Sequence, residues 1–281
     1  MKSILNTVVK STHHKKPILT DVYFNQNNTK KPVVIFCHGY KGYKDWGAWN
    51  LAVPKFVEHN LFFVKFNFSH NGGTVENPID FPDLNAFGEN NFTIELNDLE
   101  DVINWICTNE SFKSEIDTEN IVLIGHSRGG GIVSIKASEN CKISKVITWS
   151  SVSDFGARFP TGEILENWRE DGISYVENSR TKQQMPHYFQ FYTNFKENEN
   201  RLTIKNAVSK LTIPHLIVHG TNDDVVLLNE AKNLHKWNQK STLLIIDEMN
   251  HTLGCTQPWM NENMPDYLKQ VVAKTIEFIL K

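Results

Sequence analysis

Short apolar stretches alternate along the chain with longer segments in which apolar residues recur at helical spacing. The apolar stretches are rich in β-branched and aromatic residues, which favours buried strands joined by crossover helices. Predicted strands are residues 18–24, 33–37, 61–68, 121–124, 145–149, 213–219 and 242–246, and predicted helices are residues 49–59, 92–107, 127–139, 228–237 and 265–280. This order predicts an α/β fold with a mostly parallel central sheet flanked by helices. Pro54 interrupts the first predicted helix, which predicts a kink or a later start.

Residues 154–211 break this alternation, because no strand-like stretch occurs there while aromatic and charged residues are frequent. A segment of this length without structure of its own is rare inside a compact domain. We therefore expect it to form helices and to cover part of the core as a lid. The predicted organisation is an α/β core of residues 1–153 and 212–281 with a helical lid insertion at 154–211. Most of the lid aromatic residues are expected to form a small core, and some to shape an apolar pocket.

The composition is that of an ordinary globular protein. The chain has 281 residues, of which 40% are hydrophobic and 22% charged, and its formal net charge is -3. It has no basic stripe of the kind that binds nucleic acid. Residues 1–10 lack the apolar stretch of a secretory signal, and no apolar stretch reaches membrane-spanning length. We expect a cytoplasmic protein that binds neither nucleic acid nor membrane.

Metal and cofactor sites are not predicted either. The four cysteines are scattered and match no disulfide or zinc-site spacing. The pair His13-His14 lies in a polar stretch without further ligands nearby in sequence, and Gly129-Gly130-Gly131 lacks the lysine and the spacing of a phosphate-binding loop. The chemistry is therefore expected to come from the side chains alone.

The most specific motif is Gly125-His126-Ser127-Arg128-Gly129, which follows a predicted strand and precedes a predicted helix. In this context a serine occupies a sharp turn, and small flanking residues let the strand and the helix approach while the hydroxyl points outward. The same five-residue pattern also arises by chance as a glycine-rich turn. The strand–turn–helix context favours a nucleophilic Ser127.

A serine nucleophile needs a base, and the base needs an orienting carboxylate. Asp223 and Asp224 follow one predicted strand, and His251 follows the next, so all three are expected at the carboxyl end of the sheet. His251 is preferred to the other histidines because it lies in the loop after the last strand. Asp223 is preferred to Asp224 as the orienting acid; adjacent residues point in different directions, and the alternative role for either carboxylate is to cap the turn.

A developing oxyanion requires backbone N–H donors. One donor is expected from Arg128, the residue after the nucleophile, and a second from Tyr40 in the loop that follows the strand 33–37. His38, Gly39 and His126 flank these donors, and we expect them to contact the substrate.

Taken together, His38-Gly39, the 125–129 motif, Asp223 and His251 resemble the α/β-hydrolase family over nearly the whole chain. Within that family the chain is similar to small bacterial carboxylesterases related to cinnamoyl and feruloyl esterases and to the catalytic domains of the prolyl oligopeptidase group. The related dienelactone hydrolases carry cysteine where this chain has Ser127. Relatives often carry an Arg-Gly-His-Gly type turn in the loop that here contains Asn-Gly-Gly at 71–73.

The resemblance implies a cofactor-free serine hydrolase that cleaves a small carboxylic ester through an acyl-enzyme, with a small apolar or aromatic acyl group. Two alternatives remain at this stage. A peptidase or amidase would use the same residues on a poorer leaving group. A non-catalytic protein of the same fold would bind a small ligand under the lid, because fold alone does not guarantee chemistry.

Overall fold

The computed structural model describes residues 1–281 and contains ten strands and ten helices. The strands are β1 Lys2–Lys10, β2 Pro17–Phe24, β3 Lys31–Cys37, β4 Phe62–Asn67, β5 Ile116–His126, β6 Ile143–Trp149, β7 Ile173–Glu177, β8 Gln184–Tyr188, β9 His215–Gly220 and β10 Thr242–Ile246. The helices are α1 Trp49–Glu58, α2 Leu84–Glu89, α3 Phe92–Thr108, α4 Arg128–Glu139, α5 Glu163–Asp171, α6 Gln190–Glu197, α7 Glu199–Leu202, α8 Ile204–Val208, α9 Leu228–Trp237 and α10 Asp266–Leu280.

Eight strands form one sheet in the order β1-β2-β4-β3-β5-β6-β9-β10. The pairs β1–β2 and β2–β4 are antiparallel, and every other neighbouring pair is parallel. Helices α3, α4 and α9 cover one face of the sheet, and α1 and α10 cover the other. The central strands are buried on both faces, which explains their continuous apolar sequences. The predicted α/β architecture is confirmed.

Two local features of the core differ from the sequence-based expectation. Strand β1 was not predicted, because of its nine residues only Val9 is buried and the rest give no clear alternation. Its place at the edge comes from pairing with β2 rather than from an apolar pattern. Helix α1 begins at Trp49 although it contains Pro54, so the later start did not occur.

The insertion 154–211 contains the expected helices, α5 to α8, and also a hairpin that was not predicted. Strands β7 and β8 pair only with each other, and β7 is largely exposed, so its sequence carries no burial pattern. Most of the aromatic residues in 154–211 join the large core on the α3 face of the sheet, whereas Tyr175 of β7 is 56% exposed. Phe155, for example, stacks on Phe92 with ring centroids 3.8 Å apart.

A buried charge cluster joins β2 and β4 to the segment that follows β3. The ammonium of Lys44 lies 2.7 Å from Asp21 Oδ2, and that of Lys65 lies 3.4 Å from the same oxygen. Lys65 also pairs with Asp45. Asp21, Lys44 and Lys65 are each at most 2% exposed, so their charges are stabilised by one another and not by water. The cluster holds the chain just beyond residues 38–42 against the sheet.

We expect Asp21→Asn to lower the free energy of unfolding by about 3 kcal/mol, because the change leaves two buried ammonium groups without full compensation. Urea denaturation followed by circular dichroism measures this loss. Glu58→Gln is the control, since Glu58 is 55% exposed in its pair with Lys55, and its removal should cost under about 1 kcal/mol. Equal effects of the two substitutions would contradict a stabilising buried cluster.

Candidate active site

Ser127 alone connects β5 to α4 and has a positive φ of 55° with ψ of -119°. This conformation is costly for a non-glycine residue, and the packing around it holds it in place. Gly125 and Gly129 allow the tight approach: a Cβ on Gly125 would lie 2.3 Å from the carbonyl oxygen of Gly129, and one on Gly129 would lie 2.5 Å from that of Cys37. The turn predicted from the 125–129 motif is therefore present.

The loops after β9 and β10 are tied together at the same edge of the sheet. The N–H of Asn222 donates to the carbonyl of Met249 at 3.2 Å. The Thr221 hydroxyl donates to Asp247 Oδ1 at 2.8 Å and accepts from the N–H of Glu248 at 2.8 Å. These contacts bring Asp223 next to His251.

The side chains of Asp223 and His251 form a pair at this edge of the sheet. The imidazole Nδ1 of His251 lies 2.9 Å from Asp223 Oδ2 and 3.1 Å from Oδ1. The side chain of Asp223 is fully buried, whereas Asp224 is exposed. The arrangement favours Asp223 over Asp224 as the partner of the histidine.

The Asp223 carboxylate is held in its ionised form. The N–H groups of Val225 and Val226 donate to Oδ1 at 3.1 and 2.8 Å. Burial by itself raises the pKa of Asp223, but the hydrogen bond and charge interaction with His251, together with the backbone donor, lower that pKa below its ordinary value of 3.8. Since a carboxylate only accepts, Nδ1 of His251 carries the proton and Nε2 has a free lone pair.

Ser127 and His251 line the same cavity, but their side chains are not hydrogen-bonded to each other. Catalytic hydrogen bonds are often long before substrate binds, so this geometry is compatible with proton transfer. His126 lies beside both: its Nε2 is 2.9 Å from the carbonyl oxygen of His251, and the two rings are 5.0 Å apart. Burial and the nearby His251 lower the pKa of His126 to about 3, so this imidazole is neutral at physiological pH.

The loop after β3 approaches the serine closely. A Cβ on Gly39 would lie 2.9 Å from Cβ of Ser127, so the backbone of this loop lies directly against the turn at Ser127. His38 holds the loop in place: the N–H of Phe68 donates to Nε2 at 3.2 Å, and Nδ1 donates to the carbonyl of Gly39 at 2.9 Å. Burial lowers the pKa of His38 to about 4 and keeps this neutral tautomer.

Arg128 and Tyr40, the two expected oxyanion donors, are in contact. The guanidinium of Arg128 lies 4.4 Å from the centre of the Tyr40 ring. Its charge is balanced by the buried Glu95 of α3, at 3.4 Å. The Tyr40 hydroxyl lies 2.7 Å from Nε2 of His187 in β8, which connects this loop to the insertion.

Sequence reasoning missed Glu95 and His187. A signal for Glu95 existed, because it falls on the buried stripe of α3 beside Phe92 and Leu96, where a carboxylate needs a partner. His187 had no comparable signal, since it lies in a hairpin without a burial pattern.

The cavity above Ser127 has a volume of about 390 Å³. His38, Gly39, Tyr40 and His126 line it together with Ser127 and His251. Its aromatic walls come from the core, namely from Trp46 and Trp49. The insertion contributes only the hairpin turn Asn178, Ser179 and Arg180.

The expectation that lid aromatic residues shape the pocket is wrong for this cavity, because none of them lines it. They are needed elsewhere: Phe155, Phe191 and Phe195 are at most 7% exposed and fill the core on α3. Burial of these large rings stabilises the insertion more than exposure above a polar cavity would.

No group of three or more His, Cys, Asp or Glu side chains is arranged to hold a metal ion. His14, half of the His13-His14 pair, is instead bound to Asp98 at 2.8 Å. None of the helices is long and apolar enough to cross a bilayer.

A family model described as BD-FAE matches residues 20–238 of the chain, including the serine turn, Asp223 and the loop after β3. The chain belongs to the BD-FAE esterase domain family. The match covers β3, β4, β5, β6 and β9 of the sheet and ends before β10 and His251.

Solved structures with the same fold are also similar to this chain. Est1E from Butyrivibrio proteoclasticus, in a structure with ferulic acid bound, is similar over 98% of both chains with 17% identity and a TM-score of 0.70. A puromycin-hydrolyzing peptidase from Mycobacterium tuberculosis matches 99% of this chain and 38% of its own length, with 12% identity and a TM-score of 0.66. These likenesses confirm the α/β-hydrolase fold.

An uncharacterized 31.7 kDa protein from the traX-finO intergenic region of Escherichia coli is 27% identical over 185 residues. The match spans 63% of this chain and 57% of that relative.

The lowered pKa of Asp223 predicts a pH-dependent contribution to stability. A carboxylate whose pKa is depressed by folding stabilises the fold above its unfolded value, and this contribution is lost as the pH falls through the folded value. Asp223→Asn should therefore destabilise the protein most above about pH 5, and the difference from wild type should shrink below the ordinary value of 3.8. Urea denaturation between about pH 3 and pH 7 tests this.

Asp224→Asn is the matched control, because Asp224 is an exposed neighbour of Asp223. Its stability should follow wild type at every pH. A difference between Asp223→Asn and wild type that does not change with pH would contradict an ionised, paired Asp223.

Proposed function

We propose that this protein is a serine hydrolase that cleaves small carboxylic esters through an acyl-enzyme, with Ser127 as nucleophile, His251 as base and Asp223 as orienting acid. The observation that carries the proposal is the Asp223–His251 pair, 2.9 Å apart, at a cavity that also contains the strained Ser127. Membership of the BD-FAE esterase domain family supports the reaction class.

In the proposed reaction, substrate binding brings the hydroxyl of Ser127 within reach of Nε2 of His251. Nε2 takes the hydroxyl proton while Oγ attacks the ester carbonyl carbon. The N–H groups of Tyr40 and Arg128 donate to the oxyanion of the tetrahedral intermediate. Asp223 holds the imidazole tautomer and stabilises the imidazolium.

The intermediate then collapses. The bond from the carbonyl carbon to the alkoxy oxygen breaks, and the imidazolium gives its proton to the leaving alcohol. Water enters, loses a proton to Nε2 and attacks the acyl-enzyme, and His251 returns that proton to Oγ of Ser127 as the carboxylic acid leaves. No cofactor is needed for this cycle.

The substrate is proposed to be a small ester with an aromatic acyl group. A cavity of about 390 Å³ holds a single-ring acid and a short alcohol, and Trp46 and Trp49 supply flat apolar walls. Est1E, which shares the fold, has been solved with ferulic acid, an aromatic acid. Residues 154–211 act in this proposal as the lid, with the turn 178–180 at the cavity.

The peptidase alternative is tested alongside, because one structural neighbour is a puromycin-hydrolyzing peptidase. Matched p-nitrophenyl esters and p-nitroanilides with the same acyl group separate the two functions. We expect the ester to be hydrolysed faster than the anilide, since the anilide has the poorer leaving group and no residue is proposed to assist its departure beyond His251.

Ser127→Ala should abolish turnover of p-nitrophenyl acetate and benzoate, because it removes the attacking oxygen. Labelling by a fluorophosphonate should disappear with it. Ser179→Ala is the control, since Ser179 lines the same cavity but has no proposed part in the reaction. Wild type that neither turns over an ester nor reacts with the probe would refute the esterase proposal.

Asp223→Asn should lower kcat by about 10⁴-fold, because an amide favours the wrong imidazole tautomer. Asp224→Asn should retain wild-type kcat. Steady-state kinetics on one p-nitrophenyl ester measure both variants. A large loss in Asp224→Asn with none in Asp223→Asn would assign the acid to the other residue.

A further inference from the structure

The cavity above Ser127 carries an uneven distribution of charge. Of all the Asp, Glu, Lys and Arg residues in the chain, only Lys41 and Arg180 line it. Two further lining groups, the imidazoles of His38 and His126, have pKa values of about 4 and about 3 because they are buried, and are neutral at physiological pH. The walls therefore present two cations and no anion to a bound molecule.

Lys41 has no carboxylate partner. Its ammonium lies 3.4 Å from the main-chain carbonyl of Glu177 and 5.3 Å from the centre of the Tyr40 ring. Most buried or half-buried lysines are paired, as Lys31, Lys44 and Lys65 are in this chain. Burial lowers the pKa of Lys41, which is the direction expected for a cation that lacks a counter-ion. An anion entering the cavity would supply that counter-ion.

Hydrogen bonds within the hairpin turn hold Arg180 in position. Asn178 Oδ1 accepts from the N–H groups of Arg180 and Thr181 at 3.1 and 3.4 Å, and the N–H of Asn178 donates to the carbonyl of Gln183 at 2.8 Å. One guanidinium nitrogen, Nη2, pairs with Asp80 outside the cavity lining. A guanidinium has five N–H donors in a fixed plane, so this contact orients the group and leaves other donors available.

The two cations come from separate parts of the fold. Lys41 directly follows Tyr40, the proposed oxyanion donor, and Arg180 belongs to the hairpin turn of the insertion. The hydrogen bond from Lys41 to the carbonyl of Glu177 joins the two at the turn end of the hairpin. The cationic wall thus exists only when the hairpin lies against the loop after β3.

We propose that the substrate is an ester that carries a carboxylate away from its scissile bond, and that Lys41 and Arg180 bind this carboxylate. The inference rests on the proposed esterase function and narrows its substrate class. Charge-assisted hydrogen bonds from an ammonium and a guanidinium select such a group over a neutral one of equal size. A phosphate in place of the carboxylate would accept hydrogen bonds from the same donors, so the experiment tests it separately.

The test compares p-nitrophenyl 4-carboxybenzoate with p-nitrophenyl 4-carbamoylbenzoate. The two esters have the same leaving group and nearly the same size, and the rigid ring prevents the carboxylate from attacking its own ester. The ratio of their kcat/KM values in each variant, divided by the wild-type ratio, cancels their intrinsic reactivity. p-Nitrophenyl 4-phosphonobenzoate forms the phosphate-like arm.

Lys41→Met and Arg180→Met should each lower the carboxylate-to-amide ratio by about tenfold, because each removes a charged donor. Lys182→Met is the matched control: Lys182 lies on the same turn, is 72% exposed and does not line the cavity. It should keep the wild-type ratio. Unchanged ratios in both Lys41→Met and Arg180→Met would overturn the proposal, as would a larger loss for the phosphonate than for the carboxylate.

A binding measurement separates this inference from the esterase proposal. Titration calorimetry on Ser127→Ala compares terephthalate with the neutral terephthalamide. Tighter binding of terephthalate, weakened about tenfold by added Arg180→Met, supports the anion site even if no ester is cleaved. Equal affinity for the two compounds overturns it, whereas absence of turnover with intact terephthalate binding overturns only the esterase proposal.

Discussion

The sharp turn at Ser127 is the constraint on which the site depends. The N–H of Ser127 donates to the carbonyl of Trp149, and its own carbonyl accepts from the N–H groups of Gly130 and Val152. These contacts tie the residue to β6 and to the start of α4, so its positive φ is maintained by surrounding structure. The turn also requires that positions 125 and 129 carry no side chain, because a Cβ on Gly125 would clash with the backbone of Gly129 and a Cβ on Gly129 with that of Cys37. The loop after β3 can therefore lie against the serine. Ser127 and the loop after β3 are therefore positioned by one set of backbone contacts.

The charged side chains around this turn are buried, and each lies beside hydrogen-bond donors or a group of opposite charge. Asp223 accepts from two N–H groups and His251, and Oε1 of Glu95 accepts from Arg128 and Asn90, whereas Oε2 of Glu95 has no hydrogen-bond partner. Asp21 pairs with Lys44 and Lys65 behind the loop after β3. A buried charge is tolerated only with such partners, so each set restricts the movement of the backbone that carries it. Lys41 at the cavity is the contrast, because its ammonium has no such carboxylate partner.

The predicted insertion at 154–211 contains two kinds of residue in different environments. Most of its aromatic side chains pack in the same core as Phe92 of α3 and extend it. Its hairpin is exposed along β7, and the turn 178–180 is the part that lines the cavity. Stability and ligand contact are thus separated within one segment. Changes in the turn can alter what the cavity accepts with little effect on the core, because loop residues carry few of the packing contacts.

The sequence by itself determined the α/β class, the strand–turn–helix at Ser127 and the chain positions of Asp223 and His251. These features are local: a buried strand needs continuous apolar residues, and a tight turn needs glycine at defined positions. It also limited the acid to Asp223 or Asp224, but adjacent residues share every local signal. Only the folded chain separates them, because burial and the approach of a loop from the next strand decide which carboxylate meets His251.

The tertiary structure alone decided the edge strand β1, the hairpin β7–β8 and the lining of the cavity. Strands that are exposed and held by main-chain hydrogen bonds leave no periodic pattern in the sequence. An aromatic residue in the sequence can belong either to the core or to the wall of a pocket. Aromatic residues of 154–211 were expected at the cavity, but the turn 178–180 lines it instead. The positions of Lys41 and Arg180 around one cavity depend on how two distant segments pack, and that is a property of the fold rather than of either segment.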